Sequence, residues 1–238
     1  MPDPRRDKTI MTTLLHIDSS ANRTSESITR RLTALYARGW RAVHGDAGYR
    51  YRDLAADPVP PLDTAYCLLG RRVEREDGLV PLEKVAALAE NETEERQWSV
   101  TLPLIREVRE ADAILLGVPM YNWSVPAALK AWIDRIAFPG GFLDPDTGES
   151  VLGGTSVVVV AARGGAYGPG TPAQACDFQV PYLRALWRRY GVADENIHCA
   201  AAELTLAGLA PHLAGRGAQA RASLAAARAA TTALIPGP

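Results

Sequence analysis

The run Val157-Val158-Val159-Val160-Ala161 constrains this chain more than any other feature. It is apolar throughout, β-branched nearly throughout, and too short for a buried helix. Such a run is a strand covered on both faces, the condition of strands in a parallel sheet. Leu14-Leu15-His16-Ile17 and Ala113-Ile114-Leu115-Leu116-Gly117-Val118 have the same character, and helical patterns separate the runs. Ile28, Leu32, Leu35, Tyr36 and Trp40 share one helix face. Leu129, Trp132, Ile133 and Ile136 repeat the spacing after Pro126, a residue suited to a first helical turn. Tyr182, Leu183, Leu186, Trp187 and Tyr190 do so again, with Gly191 as the stop.

Weaker strands are expected at 49–54 and 197–201. The alternation then predicts an α/β fold: a three-layer, doubly wound, five-stranded parallel sheet. Right-handed crossovers leave few topologies, of which flavodoxin-like strand order leads. A chain of 238 residues with 47% apolar composition suits one such domain spanning 1–238. Residues 1–11 are polar and expected to be flexible, with no apolar stretch of the kind a signal peptide needs. Residues 56–98 fit the alternation poorly. Their Pro-rich start, the charged run 71–77 and a helical reading from about Pro81 suggest a substrate-covering excursion over the sheet edge. Pro103 is expected to break the helix around it.

The 26 basic and 27 acidic residues leave a net charge of −1, which gives no reason to expect nucleic acid or an anionic membrane as partner. No window nears the ~20 apolar residues of a membrane span. Cys67, Cys176 and Cys199 form neither a CxxC pair nor an even set, and no metal-ligand spacing occurs. A reduced, cytoplasmic protein without a metal is expected.

Ligands of open α/β sheets bind beyond the carboxyl ends of the strands, so the loops after the first, third and fourth strands should carry the site. The first, Ser19 to Ser27, is rich in hydroxyls and runs into a helix whose free N–H groups favour an anion. Arg23 can add a charge-assisted contact. An ordinary Ser-rich helix start, with Ser25 as the cap, would read the same in isolation. With no GxGxxG and no GxxxxGK[ST], the loop suits a mononucleotide phosphate. The second loop, Pro119-Met120-Tyr121-Asn122-Trp123, can lay apolar atoms on a flat heterocycle while Asn122 and backbone amides meet its polar edge; Trp123 can equally pack on the next helix. The third follows Ala162 and carries Arg163-Gly164-Gly165, where paired glycines permit close backbone approach, or simply a flexible surface loop.

Together, Ser20 with Ser25-Glu26-Ser27, the stretch 119–123, and Arg163-Gly164-Gly165 resemble the flavin-binding loops of the FMN-dependent NADH:azoreductases, also called NADH:quinone oxidoreductases. Arg52-Asp53-Leu54-Ala55 with Pro58 and Pro60, and Pro181-Tyr182-Leu183-Arg184, match further stretches of that family, so the resemblance covers most of the chain. It implies a flavodoxin-like fold, non-covalent FMN, NADH or NADPH as co-substrate, and a homodimer with the site at its interface. Ser20, Ser25 and Ser27, with Glu26 beside them, would hold the phosphate. Met120, Tyr121, Asn122 and Trp123 would hold the middle and one edge of the ring. Gly164 and Gly165, next to Ala162 and Arg163, would meet the pyrimidine end, where reduction builds negative charge that N–H donors stabilise. Relatives often carry a hydroxyl where Ala162 stands. The segment 141–148 and the stretch 56–98 also depart from the family.

The resemblance implies a ping-pong exchange of two electrons from a nicotinamide to a quinone, azo or related aromatic acceptor, with the redox chemistry belonging to the cofactor and no catalytic side chain required. A biosynthetic oxidoreductase acting on one aromatic intermediate, and a non-catalytic flavodoxin-like electron carrier, are the alternatives. His16 and His198 read as core residues and His44 and His212 as surface residues.

Overall fold

The apolar runs become the central strands of one sheet. The computed structural model describes residues 12–237, so the expectation for 1–11 lies outside the described residues. The elements in chain order are β1 (Leu14–Asp18), α1 (Ile28–His44), β2 (Tyr49–Asp53), α2 (Thr64–Arg75), α3 (Glu92–Arg109), β3 (Ala113–Pro119), α4 (Ala127–Ile136), β4 (Ser156–Ala162), α5 (Val180–Arg189), β5 (Ile197–Ala202) and α6 (Gly217–Ala233). All strand pairs are parallel and the order is β2-β1-β3-β4-β5, the flavodoxin-like arrangement.

Strand side chains alternate between two cores. Leu15, Ile17, Ile114, Leu116, Val157 and Val159 join the larger, built with α2 to α5 and centred on Trp132 and Trp187. Leu14, Leu115, Val158 and Val160 face α1 and α6, where Trp40 and Tyr36 are buried. By register His16 and Asp18 fall on the α1 side, so a polar pair sits at the carboxyl end of an otherwise apolar strand.

Two expectations need correction. Residues 56–98 do not line the cleft described below but pack as part of the core. Asp63 caps α2, whose Tyr66, Leu69 and Val73 are buried, and a 3₁₀ segment, Leu82–Leu88, buries Leu82 and Val85. All of these join the larger core, because their helical spacing outweighs the charged residues between them. Nor does Pro103 break its helix, which runs through it. Pro103 lies on the exposed face and the carbonyl it leaves without a donor, that of Ser99, is also on an exposed residue, where water can serve it.

Candidate functional site

A cleft of about 1130 Å³ opens at the carboxyl ends of β1, β3 and β4. Of the residues expected there, Ser20, Glu26, Ser27, Met120, Tyr121, Asn122, Trp123, Ala162, Gly164 and Gly165 line it. Ser25 and Arg163 do not.

The anion end is the start of α1. Its cap is Ser27, not Ser25: the Ser27 hydroxyl accepts from Arg30 N at 3.5 Å, while exposed Ser25 stands outside the helix. The Ser27 hydroxyl also donates to Ser20 Oγ at 3.0 Å and lies 3.1 Å from Thr29 Oγ1, so three hydroxyls converge. The first amides of the helix, Ile28 and Thr29, have no partner within the described residues, and both residues line the cleft with Arg31. Free helix-start N–H groups, hydroxyls and a guanidinium together suit an anion such as a phosphate. Glu26 is exposed at the rim.

The second wall is a strained turn. Tyr121 and Ser124 exchange backbone hydrogen bonds at 3.0 and 3.1 Å, closing a two-residue loop whose centre, Asn122 and Trp123, sits at φ of 49° and 69°. Positive φ at both positions is the signature of a type I′ turn, which Asn tolerates and a bulky aromatic does not. Trp123 is held there by its carbonyl, which accepts from Phe178 N at 3.0 Å. The result is an indole 53% exposed at the cleft rim. Tyr121 Oη accepts from Ala21 N at 3.2 Å, which joins this wall to the anion end.

The glycine loop completes the cleft. The carbonyls of Arg163, Gly164 and Gly165 accept from Thr205, Leu206 and Leu204 N respectively. The amides of Gly164 and Gly165 have no partner among the described residues, leaving two N–H donors for a ligand. Neither glycine is at positive φ. Added Cβ atoms would meet Leu206 at Gly164 and the Tyr167 ring, 3.2 Å away, at Gly165, so close packing rather than a glycine-only conformation favours them.

Arg163 corrects the sequence reading. It is 3% exposed and points into the protein, where Nε donates to Gln179 Oε1 at 3.1 Å and the Nη atoms meet Glu203 at 3.2 Å and Asp177 at 2.9 Å. Arg163 ties the glycine loop to α5 and β5 from behind. The segment after β5 was missed altogether: Thr205, Leu206, Leu209, His212 and Leu213 line the cleft. The rule that pointed to the other strand exits applies to β5 as well, but no local motif marks this one. Segment 141–148 and residues 56–98 contribute nothing to the cleft lining.

Behind the anion end lies a buried polar cluster. His16 Nδ1 is 2.8 Å from Tyr49 Oη, and Nε2 is 3.4 Å from Asp18 Oδ1. Thr33 Oγ1 and Tyr51 Oη donate to Asp18 at 2.9 and 3.0 Å. Burial opposes the Asp18 charge, but His16, Thr33 and Arg30 together hold its carboxyl below the ordinary aspartate value. His16 is thus buried as expected, though in polar rather than apolar surroundings.

The flavodoxin-like fold family matches residues 12–226. A protein named FMN-dependent NADH:quinone oxidoreductase from Nocardia farcinica is 41% identical over 215 residues, covering 90% of this chain and 94% of its own. The chain belongs to the flavodoxin-like family that includes these proteins. A similarly named Streptomyces coelicolor protein is 39% identical over 75% of this chain and 74% of its own. An FMN-dependent NADH-azoreductase from Bacillus anthracis, solved in complex with FMN, superposes with a TM-score of 0.73 over 95% of this chain and 100% of its own. At 15% identity that likeness speaks for the fold. Family membership accounts for the sheet order and for a cleft at the carboxyl ends of its central strands. Among the described residues, no helix is long and apolar enough to cross a membrane.

Proposed function

We propose that this chain is an FMN-dependent oxidoreductase that carries electrons from NADH or NADPH to a quinone, azo or related aromatic acceptor. One observation carries the reading: a single cleft joins a phosphate-type helix start to a strained aromatic turn and two unpartnered glycine amides. That sequence of surfaces fits a phosphate, a flat ring system and a hydrogen-bonding pyrimidine edge in order.

Bound there, FMN would supply hydride chemistry, with nicotinamide and acceptor served in alternating half-reactions. The protein's part is placement. Ser20, Ser27 and the Ile28 and Thr29 amides hold the phosphate, with Arg31 adding charge. Met120 and the turn 121–124 form a wall for the ring. The Gly164 and Gly165 amides donate where negative charge would build up, and Trp123, Leu206 and Leu209 exclude water from the open face. A cytoplasmic location follows from the use of a soluble nicotinamide.

A homodimer belongs to the same reading. Trp123, Phe178 and Leu209 are 53%, 58% and 80% exposed, an apolar rim suited to cover by a second copy. The test is to release the flavin by heat, identify it by chromatography, and measure turnover with NADH, NADPH and a panel of quinones, azo dyes and nitroaromatics. FMN and quinone or azo turnover are expected. FAD alone, or no acceptor reduced, would overturn the reading.

A further inference from the structure

The loop 19–27 is tied at its start by Ser19 to Gly117 O and by Ala21 N to Tyr121 Oη, and beyond that by few contacts from outside it. Residues 21–26 are all exposed, and the stabilising contacts within it are short-range turns: Asn22 Oδ1 accepts from Thr24 N at 2.9 Å, and Ser20 Oγ donates to Asn22 O at 3.2 Å. Yet two of its carbonyls share one partner. Arg30, on the first turn of α1, donates from Nη2 to Ser20 O at 2.8 Å and from Nε to Asn22 O at 3.0 Å. The rest of the guanidinium faces the other way. Nη1 and Nη2 grip both oxygens of Asp53 at 3.0 and 2.8 Å, and Nη1 also donates to Tyr51 Oη at 3.1 Å. No N–H of the guanidinium is left over.

Asp53 is itself fixed. Its Oδ1 accepts from Ala55 N at 3.0 Å and Ala56 N at 3.2 Å, so the end of β2 orients the carboxylate that orients the arginine. Arg30 does not line the cleft, and its charge is met by Asp53 and, at 3.6 Å, by Asp18. Arg23 Nε also lies 3.7 Å from Asp53, so two carboxylates balance two guanidinium groups and the cluster is no attractor for an anion. What it offers the cleft is geometry.

We infer that Arg30 and Asp53 are positioning residues that clamp the loop 19–27 from behind, so that phosphate recognition depends on a pair that never touches the phosphate. This rests on the FMN reading proposed above. It also gives the Arg52-Asp53-Leu54-Ala55 stretch a role: its aspartate braces a loop across the β1–β2 edge of the sheet.

Arg30→Gln, Arg30→Lys, Asp53→Asn and the Arg30→Gln/Asp53→Asn double variant test it, the last leaving neither charge unpaired. Asn at 53 retains the acceptor that caps Ala55 and Ala56. The readout is the affinity of apoprotein for FMN and for riboflavin, which lacks the phosphate, by flavin fluorescence titration, with unfolding followed in parallel. All four variants are expected to bind FMN roughly tenfold or more weakly and riboflavin within about twofold of the parent. The sign for Asp53→Asn is decisive. If the cluster acted through its charge, removing a carboxylate would tighten FMN; if it acts by clamping, FMN weakens. Lysine keeps the charge but lacks the fork, so FMN affinity restored in Arg30→Lys would overturn the inference. Parent-like FMN affinity in Asp53→Asn, or equal loss of riboflavin and FMN across the set, would do so too. A parent that binds neither flavin would instead overturn the function on which the inference rests.

Discussion

Asp18 is a carboxylate at the end of an apolar strand, buried to 3% exposure, and the residue opposite it in the sheet is Gly117. A Cβ at Gly117 would run into the Asp18 carboxylate, so the glycine makes room for the charge. Because His16, Thr33 and Arg30 hold the folded Asp18 below its unfolded value despite burial, its contribution to stability is present above the unfolded pKa of about 3.9 and is lost as pH falls through the folded value. Asp18→Asn is therefore expected to cost about 1–3 kcal/mol at pH 7, a gap that closes as the pH is taken below about 4. Urea unfolding of both proteins across that range checks it; a gap independent of pH would remove the charge from the account. Arg163 teaches the converse at the same scale. The sequence placed it in the right loop, but only the packing of Gln179, Asp177 and Glu203 shows that its side chain faces away from the cleft.

Among elements, the strands announce themselves because burial on both faces leaves few residue types to choose from. The helix α2 was hidden because Tyr66, Leu69 and Val73 lie among Arg71, Arg72, Glu74 and Arg75, so a charged run and an amphipathic face occupy the same residues. The turn at Asn122-Trp123 carries the clearest prediction. Holding Trp123 in the left-handed region costs about 1–2 kcal/mol, whereas Gly would lose about 0.5–1 kcal/mol to its freer unfolded state. Trp123→Gly should thus leave the apoprotein as stable as the parent or slightly more so, while KM for the aromatic acceptor rises. Chemical unfolding and steady-state kinetics separate the two effects. A loss of stability above about 1 kcal/mol would mean that the turn is not strained.

For the whole molecule, the apolar rim predicts association. Light scattering at micromolar concentration should give twice the chain mass of 25.6 kDa, and Phe178→Glu, a substitution at a 58% exposed position, should shift the mass toward the monomer while the circular dichroism of the folded chain is unchanged. A parent that stays monomeric would remove the second subunit from the pocket. The sequence alone determined the layer architecture and narrowed the strand order to a few topologies led by the one observed, because hydrophobic periodicity and right-handed crossovers leave few ways to bury such strands. It also located three of the loops at the cleft, since their hydroxyls, aromatics and glycines are uncommon together. Tertiary structure alone decided which side chains turn inward, that the segment after β5 closes the cleft, and that Arg30 on α1 meets Asp53 on β2. Those facts depend on contacts between residues far apart in the chain, whose geometry is set by how the whole sheet packs and not by any local pattern.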